Sequence, residues 1–233
     1  MSETKSTAGP LAALDERLRD TRLFFTQALR TFHATGSILP SSPALARAMA
    51  EHVRVRPVPD EPLRIMEVGA GTGAITRGIA AAMRPGDTAD LVEANPEFAA
   101  HLEHLLETDP ALSPIAPQAQ VHAKLVGDMG TDRTYDVILS GLPFANFTAD
   151  SVREILEYYF EVLRPGGHLS FYGYLYTKEV KAVIARREDY LRQARTSWVV
   201  QDWIDRYGVR SDRVIANIPP AFVHHLRKPD KTP

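Results

Sequence analysis

The stretch Leu63–Ile75, Leu-Arg-Ile-Met-Glu-Val-Gly-Ala-Gly-Thr-Gly-Ala-Ile, restricts this chain more than any other. Ile65, Met66 and Val68 read as a short buried strand. Gly69, Gly71 and Gly73 then impose a tight turn, because glycine enters left-handed backbone without steric penalty. A helix is expected from about Ala74, with Ile75, Ile79 and Met83 on one face. Strand, glycine turn and helix in that order bring backbone close to a ligand and present unpaired N–H groups to it. The string Gly69-Ala-Gly-Thr-Gly73-Ala74 also satisfies the dinucleotide fingerprint G-x-G-x-x-A, which alone fits a plain structural turn equally well.

Glu67 narrows the choice of ligand. A carboxylate two positions before the first glycine repels a pyrophosphate and suits a zwitterionic amino-acid tail; a strand-end charge is the alternative. Ala89–Val92 reads as the second strand. Glu93 closes it, placed to accept both hydroxyls of a ribose. Asn95-Pro96 opens a helix over Glu97–Glu107. The three-proline stretch Thr108–Gln118 reads as a surface loop. Val121–Val126 is the expected third strand, followed by Asp128. Tyr135–Leu139 is the fourth, running into Ser140-Gly-Leu-Pro-Phe144. A helix over Ser151–Leu163 and the turn Arg164-Pro-Gly-Gly167 precede a fifth strand, Leu169–Tyr174. Thr177–Arg195 reads as a basic helix, either a solvated face or a surface for lipid headgroups. Trp198–Tyr207 reads as a second helical piece, ended by Gly208. Val209–Asn217 and Ala221–Leu226, joined by Ile218-Pro-Pro220, read as a closing strand pair.

The chain has 233 residues, 44% of them hydrophobic, which suffices for one sizeable core. Its net charge of −2 argues against an extended nucleic-acid surface. The lack of cysteine removes disulfides, thiolate metal ligands and cysteine nucleophiles. No metal is expected, since His224 and His225 are strand neighbours and point to opposite faces. No apolar run reaches the roughly 20 residues of a membrane span. Met1–Pro10 reads as a polar, disordered tail without the apolar core of a signal peptide, so the cytoplasm is the expected compartment. Leu11, Leu14, Leu18, Phe25, Leu29 and Phe32 recur at helical spacing. That helix either packs on a core or lies in a membrane interface. Ser42 is a candidate helix cap with Pro43 at the first helical position.

The run from Glu67 to Gly73 resembles motif I of the class I S-adenosylmethionine (SAM) methyltransferases, E/D-x-G-x-G-x-G. The resemblance implies an α/β, Rossmann-like fold. Its sheet has seven mostly parallel strands and a C-terminal antiparallel hairpin, here preceded by N-terminal amphipathic helices. It implies SAM as cofactor and S-adenosylhomocysteine (SAH) as product. Carried over by position, Gly69, Gly71, Thr72 and Gly73 wrap the methionine portion, and Glu67 holds its ammonium end. Glu93, Ala94 and Asn95 sit at the ribose. Gly127, Asp128 and Met129 sit at the adenine, and Ser140 lies at the acceptor position. Amino methyltransferases acting on adenine or glutamine show Asn/Asp-Pro-Pro-Tyr or Asn-Leu-Pro-Tyr there. Ser140 departs from that pattern and suits an aliphatic amine.

Three segments are similar to the bacterial phospholipid N-methyltransferases: Gly36-Ser-Ile-Leu-Pro-Ser-Ser42, Ser140-Gly-Leu-Pro-Phe144 and Asn217-Ile-Pro-Pro-Ala-Phe-Val223. The first implies that Ser41 and Ser42 cap the SAM pocket. Together they imply methylation of the headgroup amine of phosphatidylethanolamine towards phosphatidylcholine, with an ornithine lipid as a close variant. They also imply a peripheral protein at the inner membrane, held there through residues 11–32. An RNA or protein N-methyltransferase and a nicotinamide-dependent dehydrogenase are the competing readings. Ser140 and the Leu142 carbonyl are the candidates for orienting the amine, with Tyr174 or an acid to take its proton. Tyr172, Tyr174 and Tyr176, with Phe144 and Phe147 nearby, form either a cation-attracting rim or ordinary packing. The expected layout is a tail (1–10), helices with a capping segment (11–62), a methyltransferase core (63–227) and a second tail (228–233).

Overall fold

The computed structural model describes residues 41–56, 61–174 and 187–230, all within one contact unit, Leu39–Pro233. The amphipathic segment 11–32, Tyr176 and most of the basic segment Thr177–Arg195 lie outside the described residues.

Seven strands form one sheet: β1 (Arg64–Val68), β2 (Thr88–Val92), β3 (Ala119–His122), β4 (Tyr135–Ser140), β5 (Leu163–Tyr174), β6 (Gly208–Val214) and β7 (Ala221–Arg227). Their order is β3-β2-β1-β4-β5-β7-β6. The pairs from β3 to β5 are parallel, and β7 runs antiparallel between β5 and β6. The sheet, with its closing hairpin, is the one expected from the sequence. Parallel strands joined by helices are covered on both faces, so their sequences read as apolar runs.

Among the described residues, six helices flank the strands: α1 (Pro43–Met49), α2 (Glu51–Arg54), α3 (Ala74–Ala80), α4 (Pro96–Thr108), α5 (Ala149–Val162) and α6 (Arg187–Tyr207). On one face, Leu45 and Met49 of α1, Ile75 and Ile79 of α3 and Leu102 of α4 share a core with Ile65, Leu91, Leu139 and Val223. On the other face Ser140 meets Tyr159 of α5, and Phe160 of α5 meets Trp203 of α6 edge-on at 4.7 Å.

A buried ion pair fixes the start of β1. Asp87 takes both Arg56 guanidinium nitrogens at 3.0 and 2.7 Å and accepts from the Leu63 and Arg84 N–H groups.

Several boundaries differ from the sequence reading. The third strand is Ala119–His122, not Val121–Val126. The chain turns at Lys124, whose N–H bonds to the His122 carbonyl, and Val126–Asp128 forms a 3-10 turn with Val126 buried. The stretch read as a surface loop packs instead: Leu112 and Ile115 are buried, and Ser113–Gln118 is a 3-10 helix. The Arg164-Pro-Gly-Gly167 segment is the irregular first part of β5 rather than a separate turn. Finally, α6 runs unbroken through Arg195–Trp198. Thr196 is buried, with its hydroxyl donating to the Phe147 carbonyl at 3.0 Å.

Candidate active site

The expected site residues lie at the C-terminal ends of the parallel strands, where ligands bind in open α/β sheets. The glycine turn leaves β1 with Gly69, Gly71 and Gly73 all at positive φ, as the motif requires. Gly69 donates to the Val92 carbonyl at 2.8 Å, tying the turn to β2. From the other side Gly141 donates to the Val68 carbonyl at 2.8 Å. A Cβ on Gly141 would lie 2.7 Å from the Gly69 oxygen, so the loop after β4 presses directly on the turn. Arg77 of α3 reaches back to the Thr72 and Gly73 carbonyls and pairs with Asp109.

Glu93 binds this turn itself. Its Oε2 accepts from the Gly71 N–H at 2.9 Å and its Oε1 from the Asn95 N–H at 2.8 Å. Each oxygen retains a lone pair that a ribose hydroxyl can use. Ala94 follows it, half-buried, and Asn95 caps α4 by accepting from the Glu97 N–H.

Glu67 is fully buried beneath the turn. Its Oε2 accepts from the Thr76 hydroxyl at 2.7 Å, while Oε1 has no hydrogen-bond partner among the described residues. Burial pushes its carboxyl up to about 8; nearby Glu93 adds to the shift, and Thr76 opposes it. A buried acid with an unsatisfied oxygen, under three glycines that leave the backbone bare, fits the ammonium and methionine end of SAM. The capacity to hold that group therefore lies in Glu67, the glycine turn and Glu93.

Beyond β3, Gly127 and Asp128 are exposed and Met129 is half-buried. A Cβ on Gly127 would meet nothing within 4 Å, so that side is open to a flat ligand.

The acceptor side departs from expectation. Ser140 is fully buried. Its hydroxyl lies 3.0 Å from the Tyr159 hydroxyl and accepts weakly from the Leu142 N–H at 3.4 Å. It shapes the loop from the far face of the sheet instead of presenting an oxygen to an amine. The Leu142 carbonyl already accepts from the Phe144 N–H at 3.0 Å, which leaves one lone pair. Phe144 and Phe147 are buried, and Phe144 packs edge-on against Phe171. Tyr174 ends β5, half-buried, with its ring 5.5 Å from that of Tyr172.

Ser41 and Ser42 reach the same edge. Ser41 and Tyr174 both lie beside the Tyr172 hydroxyl. Ser42 caps α1, its Oγ accepting from the Leu45 N–H at 3.2 Å, with Pro43 next. A cavity of about 450 Å3 runs beside Ser41, Pro43, Ala46, Ala74 and Gly78, so the capping segment adjoins the helix that leaves the glycine turn.

Thr76, Tyr159 and the approach of Tyr172 to Ser41 were not singled out from the sequence, and Asn217 entered only as the first residue of the segment Asn217–Val223. A lone polar residue on an otherwise apolar face was the available signal for Thr76.

Residues 66–169 match the family described as Methyltransferase domain. The chain is 29% identical over 151 residues to the ornithine lipid N-methyltransferase of Singulisphaera acidiphila, covering 64% of this chain and 76% of that protein. Two solved structures share its fold at low identity. One is an O-methyltransferase from Bacillus cereus in complex with SAH (TM-score 0.63, 14% identity, 93% of this chain and 97% of that one). The other is an O-methyltransferase of tomaymycin synthesis from Streptomyces achromogenes in complex with SAM (TM-score 0.60, 15%, 87% and 86%). The matched span holds the glycine turn and both strand-end carboxylates, and the chain has the fold of these two methyltransferases.

Proposed function

We propose that the protein is a lipid N-methyltransferase that transfers a methyl group from SAM to the primary amine of an aminolipid headgroup. The cofactor is SAM, which supplies a methyl group on a positively charged sulfur. The observation that carries the lipid reading is the match to an ornithine lipid N-methyltransferase across three quarters of that protein. An ornithine lipid is therefore the first substrate to test, and phosphatidylethanolamine the second.

The acceptor side supports an aliphatic amine. Ser140 is turned into the protein, so a planar ring nitrogen meets no directed side-chain acceptor from that position. The amine forms its N–C bond as the C–S bond breaks, and it then loses one proton. It must attack as the neutral base, although such amines have a pKa of about 10 in water. Positioning supplies much of the rate in such displacements. The remaining lone pair of the Leu142 carbonyl orients the amine in this reading, and Tyr174, at the end of β5, is the candidate to take the departing proton.

The β6–β7 turn lies at the same edge and exposes Ile215 (76%) and Ile218 (72%). Apolar side chains beside the crevice suit a protein that works on a lipid surface. Residues 11–32 supply the peripheral membrane attachment in this reading, and no nucleic acid is a partner.

The test is methyl transfer from labelled SAM to vesicles of ornithine lipid, vesicles containing phosphatidylethanolamine, and bulk RNA, followed by product chromatography. Label is expected in the ornithine lipid, with Ile215→Ser/Ile218→Ser raising the KM for vesicles about threefold or more and leaving SAM affinity unchanged. Label confined to RNA, or absent from both lipids, defeats the proposal.

A further inference from the structure

Asn217 is buried, 3% exposed, in a turn whose neighbours Ala216 and Ile218 face solvent. A buried side-chain amide must have its partners. Here it has them at both ends. Its Oδ1 accepts from the Ser42 N–H at 2.9 Å, and its Nδ2 donates to the Pro219 carbonyl at 2.8 Å. The orientation is fixed by chemistry: flipping the amide would set donor against donor at Ser42 and acceptor against acceptor at Pro219.

The contact joins two ends of the described chain, 175 positions apart. On one side is the closing hairpin. On the other is the strap Ser41–Ser42. The strap has two further attachments. Ser41 lies beside Tyr172 near the end of β5. The helix that Ser42 caps lies on α3, so closely that a Cβ on Gly78 would come within 2.5 Å of the Ala46 oxygen. Because α3 rises directly from the glycine turn, the strap runs between the hairpin and the helix that carries the cofactor loop. Ser42 is central to it. Its N–H goes to Asn217, its hydroxyl to Leu45 and its carbonyl to Ala46.

We propose that Asn217 is a positioning residue for cofactor binding: its amide clasps the strap at Ser42 and holds it over the SAM crevice. Asn217 itself touches neither cofactor nor substrate. The inference rests on the SAM crevice and is independent of which lipid is methylated.

The backbone allows a clean test. Ser42 has φ −64° and ψ 156°, which proline adopts without strain. Ser42→Pro therefore deletes the N–H that Asn217 accepts, and Ser42→Ala keeps that N–H while deleting the same hydroxyl cap. Comparing the two isolates the clasp. SAH affinity is measured calorimetrically, with amide hydrogen exchange read alongside. Asn217→Ala is expected to weaken SAH binding about fivefold in the Ser42→Ala background and to add nothing in the Ser42→Pro background. Exchange at Leu45 and Ala46 should accelerate while the β1 and β4 amides stay protected. Asn217→Asp keeps an acceptor for Ser42 but sets an oxygen against the Pro219 carbonyl, so it should restore only part of the affinity. Equal losses from Asn217→Ala in both backgrounds overturn the proposal, as does unchanged SAH affinity in Asn217→Ala. Uniform acceleration of exchange across the sheet also overturns it, since Asn217 then serves only the stability of the hairpin. Vesicle methylation by the unsubstituted protein separates the two readings: SAH binding that responds to these substitutions, with no label entering either lipid, counts against the lipid assignment and not the clasp.

Discussion

Glu67 shows how a single carboxyl serves two states. Buried with one unsatisfied oxygen, it holds its proton up to about pH 8. An ammonium group beside it favours the ionised form, so cofactor binding should release a proton near neutral pH. SAM affinity should therefore rise between pH 6 and 8, and calorimetry in buffers of different ionisation enthalpy should register the proton. The sign for stability is the reverse. The native state keeps a proton that the unfolded chain loses above about 4.5, so this residue costs stability as pH rises from there through 8. Glu67→Gln is expected to raise the melting temperature at pH 8 and to weaken SAM binding by about tenfold or more, a loss of roughly 1.4 kcal/mol. Motif spacing made Glu67, Glu93 and the three glycines legible in advance. The orientation of Ser140 was not, because strand alternation fixes its face only once the ends of β4 are known. The hydroxyl it meets belongs to Tyr159, one helix away.

Among the elements, α1 and α3 pack by backbone contact as much as by side chains. Gly78 is the point of closest approach, and nothing in its own helix marks it, since a glycine within a helical pattern reads only as a weak position. Gly78→Ala should force α1 outward. About 1–3 kcal/mol of stability should be lost by chemical denaturation, with SAM affinity falling as the strap moves. Long periodic segments such as α4 and α5 were legible to within a residue or two. The third strand and the join within α6 were not. In β3 a run of β-branched and aliphatic residues continued past the real turn. In α6 a Thr-Ser pair read as a break, because the tertiary bond from Thr196 to Phe147 cannot be seen in local sequence.

At the scale of the molecule, three histidines from distant elements converge where α2 meets the sheet. His52 stacks on His168 at 3.9 Å and meets His225 edge-on at 4.9 Å. His225 also contacts Ser170 at 2.8 Å and Asp212 at 3.3 Å. Burial pushes His52 and His168 down to about 4 and lowers His225, with mutual repulsion deepening the shift for His52 and His168. The unfolded chain takes up these protons near pH 6.5, before the native state does. Their contribution to stability is therefore complete above about 6.5 and is lost as pH falls towards 4. Denaturant midpoints measured across that window should drop, on the order of a few kcal/mol in total, and His168→Phe should flatten the curve.

The bond between Ser42 and Asn217 also has a temporal consequence. A ribosome delivers this polypeptide from its amino end, so Ser42 emerges while Asn217 has yet to be translated. If the clasp holds the strap in place, the cleft takes its finished shape only after the last hairpin has left the exit tunnel, and a half-made chain does not engage the methyl donor.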